Sequence, residues 1–115
     1  MRNQEAIRRR YLRDPLPVRL GGLAADLARI ASASENPANA KALASLLEES
    51  TYFIEWTTPE APLETQTRLV ELQVQLALCR QRLSEIYQSQ SEREHLIQQS
   101  KQWSDEILNL SGLPR

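Results

Sequence analysis

The chain has 115 residues, enough for one domain with a buried core. Fourteen basic residues stand against fifteen acidic ones, and a formal net charge of −1 excludes a global attraction to nucleic acid or to an anionic membrane. A single cysteine excludes an internal disulfide, and no apolar run is long enough to span a bilayer.

Leu and Ala dominate the apolar set, Gly is scarce, and β-branched residues never alternate with polar ones over a strand's length. This composition predicts an all-α protein. No internal repeat or second domain is visible. The N-terminus has positive charge but no apolar segment behind it, so it does not read as a secretory signal. With one cysteine, that points to the cytoplasm.

Residues 1–13 read as a basic N-terminal arm, ahead of a single helical domain over 14–115. In the first twenty residues six arginines face only Glu5 and Asp14. Arg8, Arg9, Arg10 and Arg13 carry groups that neutralise phosphates or grip carboxylates in bidentate fashion, and Tyr11 is placed to stack on a base. Ile7 and Tyr11 share a helix face, but so few apolar residues hold a helix only if it docks on something. The expectation is otherwise a disordered tip.

Asp14 reads as a helix cap with Pro15 at the first helical position. The helix then runs to about Ser34, with Leu16, Leu20, Leu23, Leu27 and Ile30 as its apolar stripe. Gly21, Ala25, Ala28 and Ser32 line a second face of small residues. Two adjacent glycines cost about 1 kcal/mol each in a helix, so Gly21 and Gly22 imply tight packing or a kink. In the turn that follows, Asn36 is the cap and Pro37 opens the next helix. So short a connection makes an antiparallel hairpin. The second helix reads through Ala40, Leu43, Leu47, Ser50 and Ile54 and ends around Trp56–Thr57. Next comes a Pro-containing connection from which a third helix starts at Pro59 or Pro62.

From Leu63 to Leu110 there is no Gly or Pro. Leu69, Leu72, Leu76, Cys79, Leu83 and Ile86 recur in steps of three and four, the spacing of a coiled-coil seam. The residues between them read as a wet face. Apolar residues return at Leu96, Ile97, Trp103, Ile107, Leu108 and Leu110. Two arrangements follow. In the first, one continuous helix, roughly 70 Å long at about 1.5 Å per residue, packs on the hairpin. Its far end, with Ile97, Trp103 and Ile107 uncovered, then pairs with a second copy. In the second, the stretch breaks near Gln88–Glu92, where Ser89 with Glu92 and Ser91 with Glu94 fit capping boxes. A four-helix up-down bundle with a turn near 89–91 results. The missing turn residues favour the first arrangement.

Catalytic chemistry has no foothold in this pattern. No Ser/His/Asp or Cys/His pairing, zinc ligand set or dinucleotide loop is present, so no catalytic, cofactor or metal site is expected. Glu92 and His95 have the Glu-x-x-His spacing of di-iron bundles, but such sites need two copies and more carboxylates. Cys79 lies in the apolar stripe and reads as a packed thiol. Glu48, Glu49, Glu55 and Glu60 surround Tyr52 and Trp56, an acidic face suited to a basic partner or to the chain's own arginines.

The functional expectation is a non-catalytic protein–protein interaction or assembly module, homodimeric and also binding a protein partner not identified from sequence. Its partner-binding candidates are Arg8, Arg9, Arg10, Tyr11 and Arg13 in the arm, Glu55 and Trp56 on the acidic face, and Ile97, Trp103 and Ile107 at the C-terminal end. The alternative is a small nucleic-acid-binding regulator led by the arginine arm.

Overall fold

The structure, a computed structural model, describes residues 3–114. Its six α-helices among those residues are α1 (Gln4–Leu12), α2 (Leu16–Ala33), α3 (Ala40–Thr57), α4 (Leu63–Gln81), α5 (Leu83–Gln88) and α6 (Gln90–Ser111). Short 3-10 turns, Pro37–Asn39 and Thr58–Glu60, lead into α3 and out of it. The described residues contain no strand.

Local signals set most boundaries. The Asn36 side chain accepts the Ala38 N–H at 2.9 Å, and Pro37 opens the turn as expected. At α2 the start shifts by one residue: Pro15 is the cap and Leu16 the first helical position. The stripe residues Leu20, Leu23, Leu27 and Ile30 are fully buried. They meet Leu43, Leu47 and Ile54 of α3, Leu69, Leu72 and Leu76 of α4, Ile86 of α5, and Leu96, Trp103 and Ile107 of α6 in one core.

The long stretch is not a rod, which corrects the first of the two expected arrangements. The molecule has a radius of gyration of 13.8 Å and measures 38 × 31 × 23 Å, too short for a 70 Å helix. Arg82 leaves helical geometry at φ −103°, ψ 15°, and Ser89 is fully extended at φ −119°, ψ 121°. The Ser89 hydroxyl then accepts the Glu92 N–H at 3.3 Å, the forward half of the capping box of the second arrangement, while the Ser89 N–H goes to the Ile86 carbonyl and the Glu92 carboxylate to Arg82. Arg93 donates to the Tyr87 carbonyl at 2.6 Å, so the end of α5 is satisfied by a side chain. No glycine is needed because neither Arg82 nor Ser89 takes a positive φ.

Energetics explain why the break wins. Folding back buries Leu96, Trp103 and Ile107, worth about 1.5–3 kcal/mol each. Each helical hydrogen bond given up costs about 1 kcal/mol, and the caps recover part of that. Ser89→Ala removes one cap and is expected to cost about 1 kcal/mol. Urea unfolding of the variant beside wild type measures it.

Packing follows an up-down order. α6 lies mainly on α2, α3 on α2, and α4 on α3. Ser104 of α6 donates to the Ala24 carbonyl at 2.8 Å, and a Cβ on Gly21 would stand 2.7 Å from the Leu113 side chain. α2 and α6 therefore run antiparallel, and Gly21 makes room for the C-terminal segment. Of the predicted small-residue face Gly21 serves this close approach, with buried Ala24 beside it, whereas Ala28 and Ser32 are exposed. α4 and α6 keep their backbones farther apart, bridged by long side chains. Arg68 holds Glu106 bidentately at 2.6 and 3.1 Å, and Arg82 reaches Glu92 at 3.2 Å.

Candidate partner-binding surfaces

The basic segment is not a free arm. Asn3 caps α1 by accepting the Ala6 N–H at 3.1 Å, and Tyr11 anchors the helix. The Tyr11 ring stacks on Phe53 at 4.1 Å between centroids and lies 5.9 Å from Trp56. Its hydroxyl is 2.9 Å from the Arg19 carbonyl, to which it donates, and 2.7 Å from the Thr57 hydroxyl. A phenol has one proton, so Thr57 is the donor in the second bond. Arg19, itself buried, donates to the Asp14 carbonyl and to Glu60. One polar knot thus joins α1, α2, α3 and the turn after α3.

Burial pushes the Tyr11 phenol up to about 12 from its ordinary 10.0. The unfolded chain therefore ionises first as pH rises. This contribution to stability is complete below about pH 10 and falls by about 1.4 kcal/mol per pH unit between about 10 and 12. Denaturant midpoints followed across that window should show the loss in wild type and not in Tyr11→Phe.

With Tyr11 in the core, the base-stacking role read from the sequence is removed. Arg8, Arg9 and Arg10 remain exposed on the docked helix, and Arg13 is exposed just past its end. α1 does lie on α3, as the acidic face invited, but through Tyr11 and its ring neighbours. Glu60 is taken by Arg19, Glu55 is exposed, and Trp56 is half-buried against Tyr52 at 5.4 Å. The space beside Trp56, lined by Gln4, Ile7, Glu48 and Tyr52, holds only about 30 Å³, little more than one water.

At the other end, Trp103 and Ile107 are core residues of the single chain, and Ile97 is half-buried. The sequence pattern predicts them as uncovered interface anchors on a projecting helix. Because the chain reverses at Ser89, their own companions cover them.

The surface that sequence reading passed over is the outer side of α4. Its inner side is the predicted stripe, with Leu69, Leu72 and Leu76 fully buried. The residues between were read as polar, yet Leu63, Val70, Val74 and Leu78 are 78, 51, 54 and 48% exposed. Leu63, Thr67, Val70, Val74 and Ala77 step by four, three, four and three. That is a second seam of coiled-coil spacing, on the side away from the core. The periodicity was available from sequence. What hid it was the stronger leucine stripe one face over.

Beside this seam an open cleft of about 600 Å³ runs between α4 and α6, lined by Glu64, Thr67, Glu71 and the Arg68–Glu106 pair. Glu106 holds the Arg68 guanidinium in its charged form. Near the α4–α5 junction, burial pushes the Cys79 thiol up, which lowers its thiolate fraction. Glu92 is held by Arg82 and His95 is exposed. Among the described residues no three His, Cys, Asp or Glu side chains form a metal-binding group. No helix among them is long and apolar enough to cross a membrane. Compared with protein-family models, curated proteins and solved structures, the chain matches none.

Proposed function

We propose that this chain is a non-catalytic helical interaction module whose docking face is the outer side of α4. The observation that carries the reading is the exposed row Leu63, Val70, Val74 and Leu78 on a helix whose other side is fully packed. Contiguous exposed apolar side chains on a soluble domain mark interaction sites. The 3.5-residue spacing favours a partner that is itself a helix, seated knobs-into-holes. Homodimerisation belongs to the same proposal, and it rests on α4 and not on the residues beyond Ile86. A single half-buried cysteine fits a reducing compartment, so the cytoplasm is the proposed location.

A photo-crosslinking amino acid at Thr67 is expected to trap a bound chain in cells, while the same group at exposed Ala28 of α2 traps nothing. Equal yields at the two positions, or none at either, would count against the module.

A second reading keeps the arginine face. Arg8, Arg9 and Arg10 on the docked helix, with Arg13 at its end, form a cationic strip able to contact phosphates without reading bases. Gel shifts test it. Binding must weaken as salt rises and vanish when Arg8, Arg9 and Arg10 are replaced together.

A further inference from the structure

We infer that Ser89 is a hinge at which the chain opens, so that α6 passes to a second copy and two chains exchange their C-terminal helices. Exchange at Ser89 does not use the exposed row on α4, so it stands apart from the interaction-module reading.

The hinge is one residue wide. Between Leu83 and Ser111 only Ser89 lies outside a helix. Arg82, where α4 meets α5, keeps helical hydrogen bonds on both sides: its N–H donates to the Leu78 carbonyl at 3.1 Å, and its carbonyl accepts the Ile86 N–H at 3.0 Å. Moving Ser89 from φ −119°, ψ 121° into the helical region, with a smaller adjustment at Arg82, therefore joins α4, α5 and α6 into one helix. No glycine or proline lies between Leu63 and Leu110, and no residue there takes a positive φ. What holds the bend is polar and near the surface: the Ser89 cap, Arg93 on the Tyr87 carbonyl, and the pairs of Arg82 with Glu85 and Glu92. Ion pairs this exposed add little.

The buried faces also stay in phase across the bend. Leu72, Cys79, Ile86, Arg93, Ser100 and Ile107 lie seven residues apart, and every one is buried or half-buried. The column that starts three residues earlier, at Leu69, runs to Ser111 with Gln90 its one exposed member. A straightened helix thus carries one stripe, half of it on the chain's own hairpin and half free for another's. A chain that only folds back has no need of this match, since two helices joined by a bend set their faces independently.

Exchange keeps the core. α6 lies mainly on α2. The Ser104 bond to the Ala24 carbonyl, the burial of Trp103 and Ile107, and the fit of Leu113 over Gly21 are all remade on the partner's α2. Only the bend differs, the condition under which swapping is a low-cost route to a dimer. Within one chain the effective concentration of α6 favours the closed form, so exchange belongs to high chain concentration.

Cysteine placement tests which copy supplies α6. One chain carries Ala24→Cys and another Ser104→Cys, both in a Cys79→Ser background. Unfolded in urea, mixed and refolded together at millimolar concentration, they are expected to form a disulfide between the two different chains on mild oxidation, identified by mass. The same chains folded separately at micromolar concentration and then mixed should form none, because each α6 covers its own α2. Wild type refolded at millimolar concentration should contain a species of twice the chain mass, longer in small-angle scattering than the 38 Å of the closed chain. Ser89→Ala, which loses the cap and favours helix, should pair more tightly than Ser89→Gly by roughly tenfold or more, since each pair holds two hinges. A wild type that stays monomeric, no link between co-refolded chains, equal linking of separately folded ones, or equal pairing of the two Ser89 variants overturns the exchange.

Discussion

Trp103→Ala is expected to cost about 3–5 kcal/mol of folding stability. The indole is 5% exposed and packed in the core formed by α2, α3, α4 and α6. Truncation leaves a cavity between helices that Leu96 and Ile107, both fully buried, are not free to fill. A domain of this size has only about 5–15 kcal/mol in reserve, so the variant should unfold at a much lower urea concentration. The same substitution separates two roles for this residue. An anchor on an exposed helix end would lose association and keep stability. A core residue loses stability, and the sedimenting mass of the fraction still folded stays that of wild type. Urea titration and sedimentation of one preparation decide between them.

Tyr11→Ala is expected to have an effect of similar size, about 3–5 kcal/mol, with a different spatial pattern. The substitution removes the ring stacked on Phe53 and leaves the Thr57 hydroxyl and the Arg19 carbonyl without their buried partner. α1 has little else to hold it, since its other large apolar residues, Ile7 and Leu12, are only half-buried. Undocking should therefore precede global unfolding. Limited trypsin digestion reads this directly, with cleavage at Arg8, Arg9, Arg10 and Arg13 faster in the variant than in wild type while α2–α6 stay resistant. Tyr11→Phe keeps the stacking and loses the hydroxyl, for about 1–3 kcal/mol, and should leave α1 docked. Comparable proteolysis of wild type and Tyr11→Ala would show that Tyr11 is not the anchor.

These two residues mark the division between local and tertiary information. Asn36-Pro37, the glycine at position 112 and the Leu20–Ile30 stripe are local signals. They were enough for the all-α class, the hairpin of α2 and α3 and most helix ends. Gly112 ends α6 with φ 75°, a conformation open to glycine. The inner stripe of α4 was equally legible, because one face repeating every 3.5 residues is a property of the segment alone. The outer seam was legible by the same rule, although Thr67, Glu71, Gln73 and Gln75 lie among its valines, which look diluted beside the leucines.

What the sequence by itself determined was which segments after Pro15 are helical and which face of most of them is apolar, since propensity, capping and periodicity act within about a dozen residues. Only the tertiary structure decided that the chain reverses at Ser89, that Tyr11 belongs to the core and that Trp103 is covered. Each of those outcomes is a contest of a few kcal/mol between local continuity and burial against residues far along the chain. A helix with good propensity ends where ending it lets Leu96, Trp103 and Ile107 reach the core that α2, α3 and α4 have built.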